Sequence, residues 1–276
     1  MPGPRPAPPR SGPVVAGGAA PAGTLRRRIG PVLLTFYGVG VMVGAGIYVL
    51  VGKIAALTGP FAPLAFVLAA LIALPVALSY AELSSRLPEA AGEVAYVESG
   101  LGRPLLAAAA GLGIVIAGTV SAAAVLRGGT GYLVSLLPLP PEAVMVALAL
   151  GLSAVAVAGV LESLALAAVM TAIEVGGLAL VILAGIVGTP VEAAPAPDGS
   201  WLAGMGPAVL LAFFAFIGFE DMVNLAEETR APTRTMPRAI IAALALTAAL
   251  YLSVAWAAVR VASPAELGGS ERPLAL

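Results

Sequence analysis

Gly38-Val39-Gly40-Val41-Met42-Val43-Gly44-Ala45-Gly46-Ile47-Tyr48 sets four glycines within nine residues of an otherwise apolar stretch. A second interrupted stretch, Phe213-Phe214-Ala215-Phe216-Ile217-Gly218-Phe219-Glu220-Asp221, lies five apolar spans further on. Glycine in mid-helix is about 1 kcal/mol less favourable than alanine, so clustered glycines predict that the helix opens. Lipid cannot satisfy the N–H and C=O groups of an opened helix, and such a break is tolerated only against protein or a watery cavity. Paired breaks in corresponding helices of two halves point to the binding site of a secondary transporter. A plainer reading competes for the first stretch: Gly40 and Gly44 also have the small-xxx-small spacing that lets helices pack closely.

Composition narrows the class. Only 11% of the residues are charged and mean hydropathy is +1.02, whereas soluble domains carry about 25% charged residues. About 20 apolar residues are needed to cross roughly 30 Å of hydrocarbon. Seven stretches qualify: Pro31–Val51, Phe61–Tyr80, Pro104–Leu126, Ala143–Leu161, Ser163–Gly188, Leu202–Phe219 and Ala239–Val259. An all-α membrane protein of about seven spanning helices is expected, with the first and sixth broken. The chain has neither cysteine nor histidine, which excludes disulfides, thiolate chemistry, zinc sites of the usual kind and a histidine relay within it. No cofactor, metal or nucleic-acid partner is expected.

Residues 1–29, rich in proline, glycine and alanine, read as a disordered tail. With that tail cytoplasmic, the inside segments hold ten basic residues and the outside segments four. That asymmetry predicts a multi-pass protein of the cell membrane with its N-terminus inside. Pro31 suits a first helical turn. The polar stretch Glu82–Arg103 predicts a short amphipathic helix, Glu162 a tight turn, and Thr189–Ser200 an outside loop. The charged connection Glu220–Arg238 is expected to end where Pro237 opens the seventh helix.

Three ordered motifs now carry a resemblance. Gly44-Ala45-Gly46-Ile47-Tyr48, then Ser79-Tyr80-Ala81-Glu82-Leu83 through Pro88 with Gly92-Glu93-Val94-Ala95-Tyr96, then Phe214–Glu220 with Ala226-Glu227-Glu228-Thr229 and Met236-Pro237-Arg238, follow one another over some 200 residues. Together they resemble the amino acid permeases of the amino acid–polyamine–organocation transporter superfamily. The resemblance implies a leucine-transporter-type fold of two inverted five-helix repeats, with the substrate held between helices 1 and 6. Residues 30–188 would then form the first repeat, 189–262 the start of the second, and 263–276 an outside tail. Family members usually have ten or more core helices, so a complementary C-terminal half is a further expected partner. A membrane-inserted fragment that does not itself transport is the rival expectation.

The site chemistry follows from an amino acid's two charges. Backbone N–H groups at Gly44, Ala45, Gly46 and Ile47, at the positive end of a half-helix, suit the carboxylate. Carbonyls at Phe214, Ala215, Ile217 and Gly218 suit the ammonium, and Phe216 and Phe219 are candidate walls or gates. Glu174, the one charge deep within a span, is a candidate for proton coupling, with hydrogen bonding to a helix end as the competing role. Glu220 is a candidate gate. The only lysine, Lys53, is expected on an outside turn, so the helix 5 lysine of some proton-coupled family members is absent. Arg127 reads as an interfacial anchor at a helix end.

Overall fold

The computed structural model describes residues 27–89, 92–136, 139–191, 200–270 and 272–276. These are all helix, turn and coil apart from one isolated bridge between Ile29 and Thr229. The first expected span is two helices, α1 (Pro31–Met42) and α2 (Ala45–Thr58). A 3-10 turn (Gly59–Phe61) leads into α3 (Ala62–Arg86). The short helix expected within Glu82–Arg103 is present as α4 (Glu93–Leu101). Then follow α5 (Pro104–Leu136), α6 (Pro141–Ala158), α7 (Val160–Val187), α8 (Ser200–Phe216), a 3-10 segment (Phe219–Leu225), α9 (Pro232–Val261) and α10 (Pro264–Gly269).

Among the described residues, six helical stretches are long and apolar enough to cross a membrane. The difference from the seven expected arises at the N-terminal end. There α1 is short, at 12 residues, and α2 runs through the Gly59 turn into α3 as one apolar stretch, Gly46–Arg86. Gly59 turns at φ 58, a backbone state that glycine adopts without strain.

Several boundaries move for identifiable reasons. Ile29 is buried, and it sits at the end of the stretch expected to be a tail. The Arg28 and Ile29 amides donate to the Glu228 carbonyl, and the Arg230 amide donates back to Ile29. The rest of that tail, residues 1–26, and residues 192–199 of the expected outside loop lie outside the described residues. Helix α9 begins at Pro232, so Pro237 falls inside it. Pro232 takes the first turn, where a missing N–H costs nothing. Helix α5 continues past Leu126, which leaves the exposed Arg127 within a helix instead of at its end. Lys53 lies in α2, not on a turn. The turn expected at Glu162 is made by Gly159, at φ 142.

The core is built where α1, α2, α3, α8 and α9 meet. Small residues make that contact close. Ala69, Ala73 and Ala77 of α3 are fully buried, as are Ala243, Thr247 and Ala255 of α9. Helix α7 packs on α1 and α9, while α5 packs on α4 and α6, α6 also meets α7, and both α5 and α6 stay largely exposed.

Candidate functional site

Two helix breaks lie against one another. Between α1 and α2 the chain leaves helical geometry at Val43 and Gly44, with Gly44 at φ −134, ψ −153. Between α8 and the 3-10 segment it leaves at Ile217 and Gly218, with Gly218 at φ 133. A methyl group placed on Gly46 would sit 3.0 Å from the Ala215 Cα. One placed on Gly218 would sit 3.0 Å from the Val41 carbonyl oxygen and 2.9 Å from its side chain. Only glycine permits approach this close, and at Gly218 only glycine adopts the backbone easily.

These contacts distinguish the two roles weighed for the first glycine cluster. Gly40 packs against Thr171 of α7, and Gly38 against Met222 and Ala243. Gly44 has open space where a side chain would be. Close packing therefore falls to Gly38, Gly40 and Gly46, and the break itself to Gly44.

The first-turn N–H groups of a helix have no partner inside it, which at α2 are those of Ala45, Gly46 and Ile47. The Gly44 amide is already engaged, donating to the Met42 carbonyl at 3.0 Å. On the second break, the Phe214 carbonyl accepts from the Ile217 amide at 3.3 Å. The Ala215 carbonyl and the Met42 carbonyl both accept from the Tyr251 hydroxyl, at 3.0 and 2.6 Å. Tyr251 is fully buried and tilts its ring against Phe216. It is the site residue that sequence reasoning missed. The available signal was a phenol in the middle of an apolar helix, because a buried hydroxyl needs a partner.

The aromatic candidates take separate places. Phe216 is fully buried against Tyr251, and Phe219 is buried edge-on against Tyr80. Phe214 is 61% exposed. A cavity of about 880 Å³ lies beside the junction, bounded by Val41, Ser121 of α5, Ile217 and Gly218. Its acidic lining is Glu93, Glu220 and Asp221. Gly44–Ile47 are not among its lining residues. Glu220 accepts the Gly218 amide at 2.8 Å, so its carboxylate caps the 3-10 segment, at an end that favours negative charge. On α4, burial and then the charges of Glu93 and Glu89 push the Tyr96 phenol up to about 12. Glu174 lies on α7, where its backbone carbonyl accepts from the Tyr48 hydroxyl at 3.3 Å, and it is near enough to bear electrostatically on Tyr251. Among the described residues no group of acidic side chains is arranged to hold a metal ion.

Relatives place this geometry in a family. The profile of the family described as "Amino acid permease" matches residues 29–276. An uncharacterized transporter of Mycobacterium tuberculosis is 35% identical over 91% of this chain and 56% of its own length. A branched-chain amino acid permease of Bacillus subtilis is 31% identical over 92% of this chain and 59% of its own. A methylthioribose transporter of the same organism is 31% identical over 84% and 54%. The chain thus spans a little over half the length of these curated relatives. It is a multi-pass membrane protein, and it belongs to the amino acid permease family of the amino acid–polyamine–organocation superfamily.

Proposed function

We propose that this chain carries the substrate site of a secondary-active amino acid transporter of the cell membrane, with the N-terminus cytoplasmic. The observation that carries the reading is the contact of the two helix breaks, Gly46 against Ala215 and Gly218 against Val41. The substrate carboxylate sits on the Ala45, Gly46 and Ile47 amides, at the positive end of α2, with the open space at Gly44 admitting it. The ammonium sits toward the carbonyl side, where Ile217 and Gly218 border the acidic cavity. Backbone dipoles hold both charges without burying a charged side chain in the membrane, which costs several kcal/mol.

Residues 30–188 form the first repeat and 189–262 begin the second, of opposite topology. The shared core of α1, α2, α3, α8 and α9 supports this pairing, since it unites the first two helices of each repeat. The leucine-transporter-type arrangement, with rocking of one repeat against the other, follows from it. Glu174 is the proton-coupling candidate, from its place on α7 beside the first break. In the assembled transporter Glu174→Gln flattens the pH dependence of uptake, and an unchanged profile would leave it a structural residue.

The test is equilibrium binding of radiolabelled L-leucine and L-lysine to the purified chain in lipid nanodiscs, with unlabelled L-amino acids as competitors. Saturable binding that Gly46→Leu removes is expected. Helical, monodisperse protein that binds neither probe, and from which none of the common L-amino acids is depleted, would overturn the proposal.

A further inference from the structure

Two helix C-terminal ends converge at the crossing, that of α1 at Met42 and that of α8 at Ala215 and Phe216. Each end carries partial negative charge and carbonyls without a helical partner. In broken-helix transporters such carbonyls commonly face a cation. Here they face the proton of Tyr251, which arrives from α9, 209 residues from Met42 and 36 from Ala215 in sequence. The 2.6 Å contact is short for O–H···O, and the 3.0 Å contact makes the bond three-centred. The ring is held independently of the hydroxyl, edge-on to Phe66 at 5.7 Å and tilted against Phe216 at 5.2 Å. A phenol clamped by two aromatic rings, with its one proton shared by both breaks, fixes the breaks relative to each other.

We propose that Tyr251 is a positioning residue that latches the two breaks, so that the Ala45–Ile47 amides are held open and aligned before substrate arrives. The latch stands on its own geometry; its consequence for substrate rests on the binding reading above. Removing the hydroxyl takes away the one donor that joins the two carbonyls, leaving Met42 with the Gly44 amide alone, while the ring packing persists. The break then samples other conformations, and the region around Gly44 becomes more accessible to water.

The experiment uses the absence of cysteine from the chain, which makes any introduced thiol the sole one. Gly44→Cys reports on the break, where a side chain has room. Ala73→Cys, buried in α3, reports general loosening. Reaction of each with a water-soluble maleimide is timed with and without Tyr251→Phe. The expected result is about tenfold faster labelling at Gly44→Cys, in keeping with loss of a buried hydrogen bond, and no change at Ala73→Cys. Equal rates at Gly44→Cys, or equal acceleration at both sites, would overturn the latch. A parallel measurement of L-leucine affinity is expected to weaken by a similar factor. If labelling quickens but neither protein binds L-leucine, the latch holds and the binding reading fails. Should Tyr251→Phe not fold, isotope-edited infrared spectra of the parent chain with carbonyl-labelled methionine decide the matter, with Met42→Leu identifying the Met42 band. A band shifted below that of a carbonyl accepting a single amide N–H supports the latch, because the Gly44 amide already donates to Met42, and a band at that single-donor frequency refutes it.

Discussion

Gly46 is the position where a single side chain tests both the crossing and the site. A methyl there would stand 3.0 Å from the Ala215 Cα and 3.1 Å from its Cβ, so the obstacle is backbone and cannot rotate away. Ala215 is itself buried, and its carbonyl is held by Tyr251. For Gly46→Ala, an overpacking cost of about 1 kcal/mol is offset by the roughly 1 kcal/mol that alanine gains over glycine in a helix. Stability should therefore stay near that of the parent, while the shifted break weakens L-leucine binding by about fivefold, equivalent to roughly 1 kcal/mol. Gly46→Leu brings three more carbons to the same contact. Overpacking then costs about 3 kcal/mol, the upper end for inserted methylenes, and binding falls by about a hundredfold or more. The assay is a scintillation proximity titration with radiolabelled L-leucine on protein in nanodiscs, alongside a thermal melt and a membrane-insertion control. Parent-like affinity and melting temperature in Gly46→Leu would refute the contact and the site together.

Three further outcomes follow from single features. Gly218→Ala should lower stability by about 1–3 kcal/mol, since its φ of 133 is strained for any side chain and Val41 blocks the added carbon; Gly44→Ala, with open space, should cost much less, and equal melting temperatures for the two would contradict this. Tyr96→Phe should keep or raise the melting temperature, because it removes a buried hydroxyl that has no partner among the described residues; a fall of several degrees would show a partner. Two hydrogen bonds from Ser263 hold the Glu266 carboxyl below its usual range. A depressed folded-state pKa means that this contribution to α10 is present above the unfolded pKa and is lost as pH falls through the folded one. Hydrogen exchange in α10 should thus quicken on acidification through the carboxylate range, and Glu266→Gln should abolish that dependence; an unchanged dependence in Glu266→Gln would sink the assignment.

Much of the fold was legible because bilayer constraints act locally. Apolar runs had to be helices, and Gly44 and Gly218 had to interrupt them, for reasons internal to each stretch. The family resemblance rested on those same residues. What each glycine does was not legible. Gly40 and Gly44 look alike in the chain, and only the approach of Thr171 from α7 assigns Gly40 to packing. Phe216 and Phe219, expected as walls or gates, are buried, one tilted against Tyr251 and the other edge-on to Tyr80. Glu220, read as a gate, spends one oxygen on the Gly218 amide. Tyr251 showed only a phenol in an apolar helix, and nothing local pointed to its partners, which are backbone carbonyls distant in sequence. Ile29 likewise gains its role only from the returning strand-like backbone at Glu228–Arg230.

The central claim is that an amino acid's carboxylate rests on the backbone amides that follow the first break. Solid-state NMR dipolar recoupling between carboxyl-labelled L-leucine and glycine-labelled protein measures that contact directly. A carboxylate hydrogen-bonded to the Gly46 amide lies about 3.5–4 Å from carbon to nitrogen, given N···O distances near 2.9 Å, and the signal should vanish when Gly46→Ala removes the labelled nitrogen. Bound L-leucine with no dipolar contact to any glycine nitrogen would contradict the claim.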